Sequence, residues 1–329
     1  MQNSQLEVLQ GCLECLKQGQ KMTLVSVAKT WGTSPRPVGA LLAVSSEGRF
    51  FGSVSGGCVE EDLIEQLKLN PATKPHIMIY GETQEQRHRF GLPCGGALEL
   101  VVEPFNEMAE VQKLMEAIEQ RHSLYRSVSL TDGNITHKSL KAEHNPNLDD
   151  QVWSNVFGPL WQMIIVGAGE TGRYLAEMSQ ALGYQVLVSD PRPEYRKNWP
   201  MKSIELLPGF PDDVLDSLAI DHRSVIVTVA HDPKVDDMAL LSALKSSAFY
   251  VGSLGSKVNN HNRRERLMEH FGFSPQEVNR LQGPVGLPIG SKTPPEIALA
   301  ILAEVTALRN GIDIKSQLNL TQQKQEALA

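Results

Sequence analysis

The sequence predicts an α/β protein in two parts, a small N-terminal α+β domain followed by a domain with a doubly wound parallel sheet. Two observations carry this. In the second half, wholly apolar runs (MIIVGAG, YQVLVSD, SVIVTVAHD, AFYVGSLGS) alternate with amphipathic stretches, the pattern of parallel strands covered by helices on both faces. In the first half, strand-like segments follow one another at hairpin spacing, and 329 residues exceed what one ordinary core accommodates.

Composition narrows the function classes. With 41% hydrophobic and 21% charged residues the chain is globular. No run approaches the roughly 18 apolar residues of a membrane span, so no membrane partner is expected. The opening MQNSQLEVLQGCLECLKQG has neither the basic flank nor the apolar core of a signal peptide, which predicts a soluble, cytoplasmic protein. A formal net charge of −7 opposes nucleic-acid binding and favours a small-molecule or protein partner. The four cysteines, Cys12, Cys15, Cys58 and Cys94, all lie in the first third and are expected as free thiols.

Along the first part, Val8, Leu9, Cys12, Leu13 and Leu16 keep a helical period that Gly19 ends. MTLVSVAKTWG reads as a strand, and Ala40 to Ser53 as a hairpin turning at Ser46-Glu47-Gly48. A helix is expected from Val59 to Leu69, strands at HIMIYGE and ALELVVEPF, a helix from Glu107 to Gln120, and a strand and turn at LYRSVSLTDGN. Beyond Ile135 the periodicity fades into the polar HKSLKAEHNPNLDDQ. The expected organisation is therefore a domain over 1–135, a linker over 136–160 and a second domain over 161–329. SPQE at Ser274–Glu277 and TPPE at Thr293–Glu296 are capping boxes that start helices.

The second domain opens on IIVGAGETG, a G-x-G-x-x-G at Gly167, Gly169 and Gly172 between an apolar strand and a helix. In such a turn the first glycine permits the bend, the second admits a pyrophosphate, and the third lets helix and strand pack. A Rossmann-like domain follows from this context. Asp190 ends the next strand about twenty residues on, where an acid holds a ribose, and Arg192 can meet a phosphate. The carboxyl ends of later strands carry His231 and Asp232, then Ser253, Ser256 and Lys257, suited to cradling an anion. Arg263, Arg264 and Arg266 follow, either as part of that cradle or as a solvated helix face. The fold implies NAD(P) as a candidate cofactor without requiring it.

In the first domain, GSVSGGCVEEDL and GLPCGGALEL each set a cysteine beside two glycines: Gly56 and Gly57 precede Cys58, and Gly95 and Gly96 follow Cys94. A helix N-terminus after Cys58 would favour its thiolate. Glu60, Glu61 and Asp62 would oppose it. Cys58 and Cys94 can be small buried core residues, or soft contacts for a metal–dithiolene cofactor or a transferable sulfur. Cys12 and Cys15, three apart on a helix, are read as core, and a structural zinc site is not expected from a single CxxC.

Taken together, TWGTSPRPVGALLAV, FFGSVSGGCVEEDL, GLPCGGALELVVEPF, IIVGAGETG, VSDPRPEY, YVGSLGSK and VGLPIGSKTPPEIALAILAEV resemble, in order and over nearly the whole chain, the XdhC/CoxI family of xanthine dehydrogenase accessory proteins. The resemblance implies a binding protein rather than a catalyst: a cytoplasmic chaperone that holds molybdenum cofactor while its sulfur ligand is installed with a cysteine desulfurase, then inserts it into a molybdenum hydroxylase apoenzyme such as xanthine dehydrogenase. On that basis Cys58 and Cys94 would touch the molybdenum or its sulfur, the polar Rossmann loops would hold the molybdopterin phosphate or its cytidine dinucleotide form, and a homodimer is plausible for the family. Members often carry histidine where this chain has Glu170. The alternative expectation is an NAD(P)-dependent oxidoreductase, or a nucleotide-sensing regulator, with a thiol-bearing N-terminal domain.

Overall fold

Apolar residues on successive positions of one strand send side chains to opposite faces, and the first part of the chain is built on a strand of this kind. In the computed structural model, which describes residues 3–31, 36–90, 97–140, 144–204, 206–312 and 314, Met22 and Leu24 enter one core cluster while Val25 and Val27 enter another. They belong to β1 (Met22–Trp31), which with β2 (Leu41–Ser45), β3 (Phe50–Gly52), β4 (His76–Tyr80) and β5 (Ala97–Pro104) forms an antiparallel sheet ordered β3-β2-β1-β5-β4. Helices α1 (Asn3–Lys17) and α4 (Met108–Glu119) cover one face through Leu9, Cys12, Val111 and Leu114. Helix α2 (Glu60–Leu69) covers the other through Leu63 and Leu67. A short α3 (Gln84–Arg89) precedes β5.

The expected linker at 136–160 is instead part of the first unit. Strands β6 (Ser123–Ser129), β7 (Ile135–Leu140), β8 (Asn147–Leu148) and β9 (Val152–Phe157) make a second antiparallel sheet ordered β7-β6-β9-β8. The chain accordingly divides into Met1–Leu160 and Trp161–Ala329. β7 is an edge strand whose polar side chains carry no alternating apolar signal; its backbone ladder to β6 holds it in place.

One buried charge ties these two sheets. Arg126 on β6 donates from Nη1 and Nη2 to the two carboxylate oxygens of Glu103 on β5, at 2.9 and 2.7 Å, and from Nε to Glu110 of α4 at 2.7 Å. The Arg126 and Glu103 side chains are each 1% exposed.

In the second unit β10 (Gln162–Val166), β11 (Gln185–Ser189), β12 (Leu206–Leu207), β13 (Ser224–Thr228), β14 (Tyr250–Ser253) and β15 (Leu281–Gln282) run parallel in the order β12-β11-β10-β13-β14-β15. Helices α5 (Glu170–Ala181) and α11 (Pro294–Arg309) bury Leu175, Ile301 and Val305 on one face. Helices α7 (Pro211–Ser217), α8 (Pro233–Ala243) and α9 (Lys257–Phe271) bury Leu215, Leu240 and Leu267 on the other. Short α6 (Pro193–Lys197) and α10 (Pro275–Asn279) complete the unit. Both expected capping boxes are formed, at Ser274 with Glu277 and at Thr293 with Glu296. The strand order reverses at β10, and the carboxyl ends of the strands on either side are where ligands reach such a sheet. Among the described residues no helix is long and apolar enough to cross a membrane.

Removing one partner of a buried ion pair leaves the other charge unanswered. Arg126→Met is expected to lower the unfolding free energy by about 3–5 kcal/mol, measured by urea denaturation, with part of that loss recovered when Glu103→Gln is added.

Candidate functional site

The sequence SVSGGCVE forms the link between β3 and α2. Gly52, Gly56 and Gly57 adopt φ of +89°, +78° and +113°, values that residues with a Cβ rarely take. At Gly57 an added Cβ would meet no atom within 4 Å, so the backbone angle alone selects glycine there. The resulting turn aims its N–H groups inward, and the Glu60 carboxylate fills the space they face. Its Oε1 accepts from Ser53 Oγ at 2.6 Å, Val54 N at 3.0 Å and Ser55 N at 2.8 Å. Its Oε2 accepts from Gly57 N at 2.9 Å, Val59 N at 3.3 Å and Ser55 Oγ. Ser55 Oγ in turn accepts the Cys58 N–H at 2.9 Å. The Cys58 backbone is thereby tied through one hydroxyl to the buried carboxylate, while Cys58 itself is exposed.

Burial alone would raise the Glu60 pKa; the hydroxyl and backbone N–H bonds outweigh it and hold the carboxyl at about 2. In sequence, Glu60 groups with Glu61 and Asp62 as a first-turn acid opposing a thiolate. The structure corrects that: Glu60 is spent on the loop, and Asp62 accepts from Tyr80 Oη at 2.7 Å and pairs with Arg89 at 3.1 Å. A glutamate directly behind a glycine-rich run of N–H donors is the available signal, and the helical pattern that it begins obscures it. Cys12 and Cys15 lie in the core as expected, where burial pushes the Cys12 thiol up to about 12. Cys94, Gly95 and Gly96 fall outside the described residues.

In the second unit the three glycines of the turn differ in their surroundings. A Cβ on Gly167 would come 2.5 Å from Ala230 N, and one on Gly172 would come 1.9 Å from Gly167 O; close packing fixes both. Gly169 meets nothing nearer than 3.7 Å and opens on a cavity of about 460 Å³ with Glu170, Arg173, Glu194 and Tyr195 on its walls.

Asp190 and Arg192, expected as separate contacts to a ribose and a phosphate, close on each other. The wholly buried Asp190 accepts from Ala168 N at 2.8 Å and from Arg192 N, Nε and Nη2 at 3.0, 2.9 and 2.7 Å. Burial opposes its charge, but these donors prevail and its pKa is lowered.

The later loops separate into structural and open groups. Ser253 is buried and shares a 2.6 Å hydrogen bond with Thr228. Ser256 and Asp232 cap helices, accepting from Asn259 N and Lys234 N. Arg263 and Arg266 do not form a solvated face: Arg263 is 4% exposed and donates to Asp237 at 2.6 Å, and Arg266 pairs with the same carboxylate. His231 and Lys257 are brought together on a cavity of about 730 Å³, with Arg264 and the loop from Gly283 to Ser291 as further lining. In sequence Arg264 is indistinguishable from its charged neighbours, and that loop enters only within the motif VGLPIGSKTPPE, with no role assigned to its residues. Among the described residues no group of three or more His, Cys, Asp or Glu could hold a metal ion.

Two outcomes follow from the thiol loop. In intact protein, iodoacetamide is expected to alkylate Cys58 well before Cys12 and Cys15, which should react only on unfolding; peptide mass mapping checks this. For Glu60, a carboxyl lowered to about 2 from an ordinary 4.5 contributes stability that is fully present above pH 4.5 and lost as pH falls through about 2. Glu60→Gln is expected to cost about 3 kcal/mol at neutral pH and to flatten the acid limb of a pH–stability curve measured by urea denaturation.

Known proteins share this architecture. A model of the XdhC Rossmann domain matches residues 163–305, and a model of the XdhC and CoxI family matches residues 15–80. An Escherichia coli (strain K12) protein named molybdenum cofactor insertion chaperone PaoD is 25% identical over 303 residues, covering 92% of this chain and 88% of its own. A Bacillus subtilis (strain 168) protein, named as a probable subunit of xanthine dehydrogenase, is also 25% identical, covering 91% of this chain and 96% of its own. The crystal structure described as a xanthine dehydrogenase from Bacillus halodurans shares the fold, with a TM-score of 0.72 at 23% identity over 92% of this chain and 96% of that one. Both units are thus matched in order, and the chain belongs to the XdhC and CoxI family.

Proposed function

We propose that this protein is a maturation factor that binds molybdenum cofactor as cargo, shelters it while its sulfur ligand is installed, and delivers it to a molybdenum hydroxylase apoenzyme such as xanthine dehydrogenase. The observation that carries this reading is the exposed Cys58 thiol on a loop locked by Glu60, in a chain similar over most of its length to a protein named as a molybdenum cofactor insertion chaperone.

The chemistry suits the task. A thiol is a soft donor, matched to a soft metal centre and to the sulfur around it, and able to take part in sulfur exchange. A loop held rigid before the cargo arrives loses little conformational entropy on binding. In this reading Cys58 touches the molybdenum or its sulfur, and Cys94 with Gly95 and Gly96 supplies a second contact. Gly56 and Gly57 leave the backbone open to close approach. The loops of the Rossmann domain hold the phosphate end of molybdopterin or of its cytidine dinucleotide form. A cysteine desulfurase is the proposed sulfur source, and a homodimer the proposed assembly.

Purified full-length protein is expected to co-elute with molybdenum and pterin fluorescence after incubation with molybdenum cofactor, near one cofactor per chain, and Cys58→Ala or Cys94→Ala is expected to abolish this. Wild-type protein that takes up NADPH but no molybdenum cofactor would overturn the reading in favour of a nucleotide-dependent function.

A further inference from the structure

The second unit has two recesses at the carboxyl ends of its strands that are large enough for a nucleotide-sized ligand, and they differ in charge. Over the glycine turn, the cavity of about 460 Å³ sets Glu170 and Glu194 beside Arg173. Next to that turn Asp190 has used its oxygens on Ala168 and Arg192. A phosphate placed there would meet carboxylates at the point where a dinucleotide fold ordinarily offers only N–H groups.

Further along the same carboxyl ends, around β13, β14 and β15, the cavity of about 730 Å³ has no Asp or Glu in its lining. Three groups of cationic or donor character face it: His231, Lys257 and Arg264. Arg264 is half-buried and held by carbonyl oxygens, from Nη2 to Leu281 O at 2.7 Å and from Nη1 to Gly283 O at 3.5 Å. Among the described residues neither Arg264 nor Lys257 forms an ion pair. The contrast with the same helix is direct, because Arg263 and Arg266 are both answered by Asp237. A partly desolvated guanidinium met only by carbonyl dipoles favours an incoming anion.

The remaining walls say what carries the anion. Leu254, Val285, Leu287 and Ile297 form an apolar surface, and the volume lies in the range of small-molecule sites. Internal packing sets the glycines of this loop: a Cβ at Gly283 would stand 2.1 Å from Asn260 Oδ1, and Gly286 has φ +95° with Ala300 Cβ and Ile301 N each 3.2 Å from where a Cβ would lie. His231 is held at φ +58°, a costly conformation of the kind that gathers at ligand sites.

We propose that this cleft at the ends of β14 and β15, rather than the recess over the glycine turn, is the site at which the second unit binds a phosphate ester of a flat heterocycle. Lys257 and Arg264 take the phosphate and the apolar wall takes the ring. That the ester is the pterin phosphate or cytidine nucleotide end of the cargo rests on the maturation reading above; the cleft itself is argued from its own charge and shape.

The test is titration calorimetry of the full chain with cytidine 5′-diphosphate, inorganic pyrophosphate and cytidine, followed by molybdenum cofactor co-elution on the same variants. Cytidine 5′-diphosphate is expected to bind more tightly than pyrophosphate, and cytidine alone not measurably. Lys257→Glu, at an exposed position, should weaken the diphosphate by about tenfold or more. Ile297→Trp should block the nucleotide by filling the apolar wall, and Arg173→Ala should leave it unchanged. Absence of diphosphate binding, wild-type affinity in Lys257→Glu, or loss in Arg173→Ala would overturn the proposal. If diphosphate binding follows the expected pattern while molybdenum cofactor fails to co-elute with wild type, the cleft stands and the cargo reading falls. If the cofactor co-elutes equally with wild type and Lys257→Glu, the cargo reading stands and its assignment to the cleft falls.

Discussion

A charge withdrawn from water must be answered by opposite charge or by aligned dipoles, and the Glu60 carboxylate is where that constraint shapes the loop that presents Cys58. Six donors from a seven-residue stretch converge on its two oxygens. The donors from Ser53, Val54 and Ser55 lie across Gly56 and Gly57 from Glu60, and both glycines take positive φ in the turn that brings them back to it. The loop and the carboxylate therefore define one another: the glycines turn the N–H groups inward, and the buried charge makes any other arrangement of the loop expensive. Cys58 is carried on the outside of this knot as the group left over, which is why it is exposed although free cysteines are usually buried.

The same rule recurs wherever the chain buries ionised groups. Arg126 is met by Glu103 and Glu110, Asp190 by Arg192, and Arg263 by Asp237. Each pair also fixes something larger: two sheets of the first unit, the approach of the second strand to the glycine turn, and the packing of α9 on α8. Desolvation offsets much of the attraction within a buried pair, whereas removing one partner leaves the other charge unanswered and is strongly destabilising. Among the described residues Arg264 is met by carbonyl oxygens alone, with no carboxylate, and it lines the cleft of about 730 Å³.

Much of this fold is legible in the sequence because hydrophobic periodicity reports burial. The alternation of apolar strands with helices marks the parallel sheet, and the two capping boxes fall where Ser274 and Thr293 announce them. The strands between 135 and 157 are not legible, since β7 is stabilised by a backbone ladder to which HKSL contributes no side-chain signal. At the site, the two packing glycines can be anticipated from residue type, whereas the exposure of Cys58 cannot, since residue type leaves a buried and a contact reading equally open. Nor can the partner choices. Asp190 and Arg192 are each sensible ligand contacts taken singly, yet lie two residues apart at a bend that lets them satisfy one another. Ser253 looks like a loop hydroxyl, but a four-residue strand carries it inward to Thr228.

These partner choices separate fold from function in the second unit. The glycine turn survives because Gly167 and Gly172 have no room for a side chain, a packing requirement that holds whether or not a dinucleotide ever binds. A turn kept for packing is free to lose its ligand, and Glu170 at the start of α5 with Asp190 already occupied is the composition such a loss would leave. Binding capacity then belongs to whichever strand ends retain uncompensated cations and apolar walls. The cleft proposed above lies at the ends of β14 and β15, where α9 spends Arg263 and Arg266 on internal carboxylates and leaves Arg264 on the cleft wall.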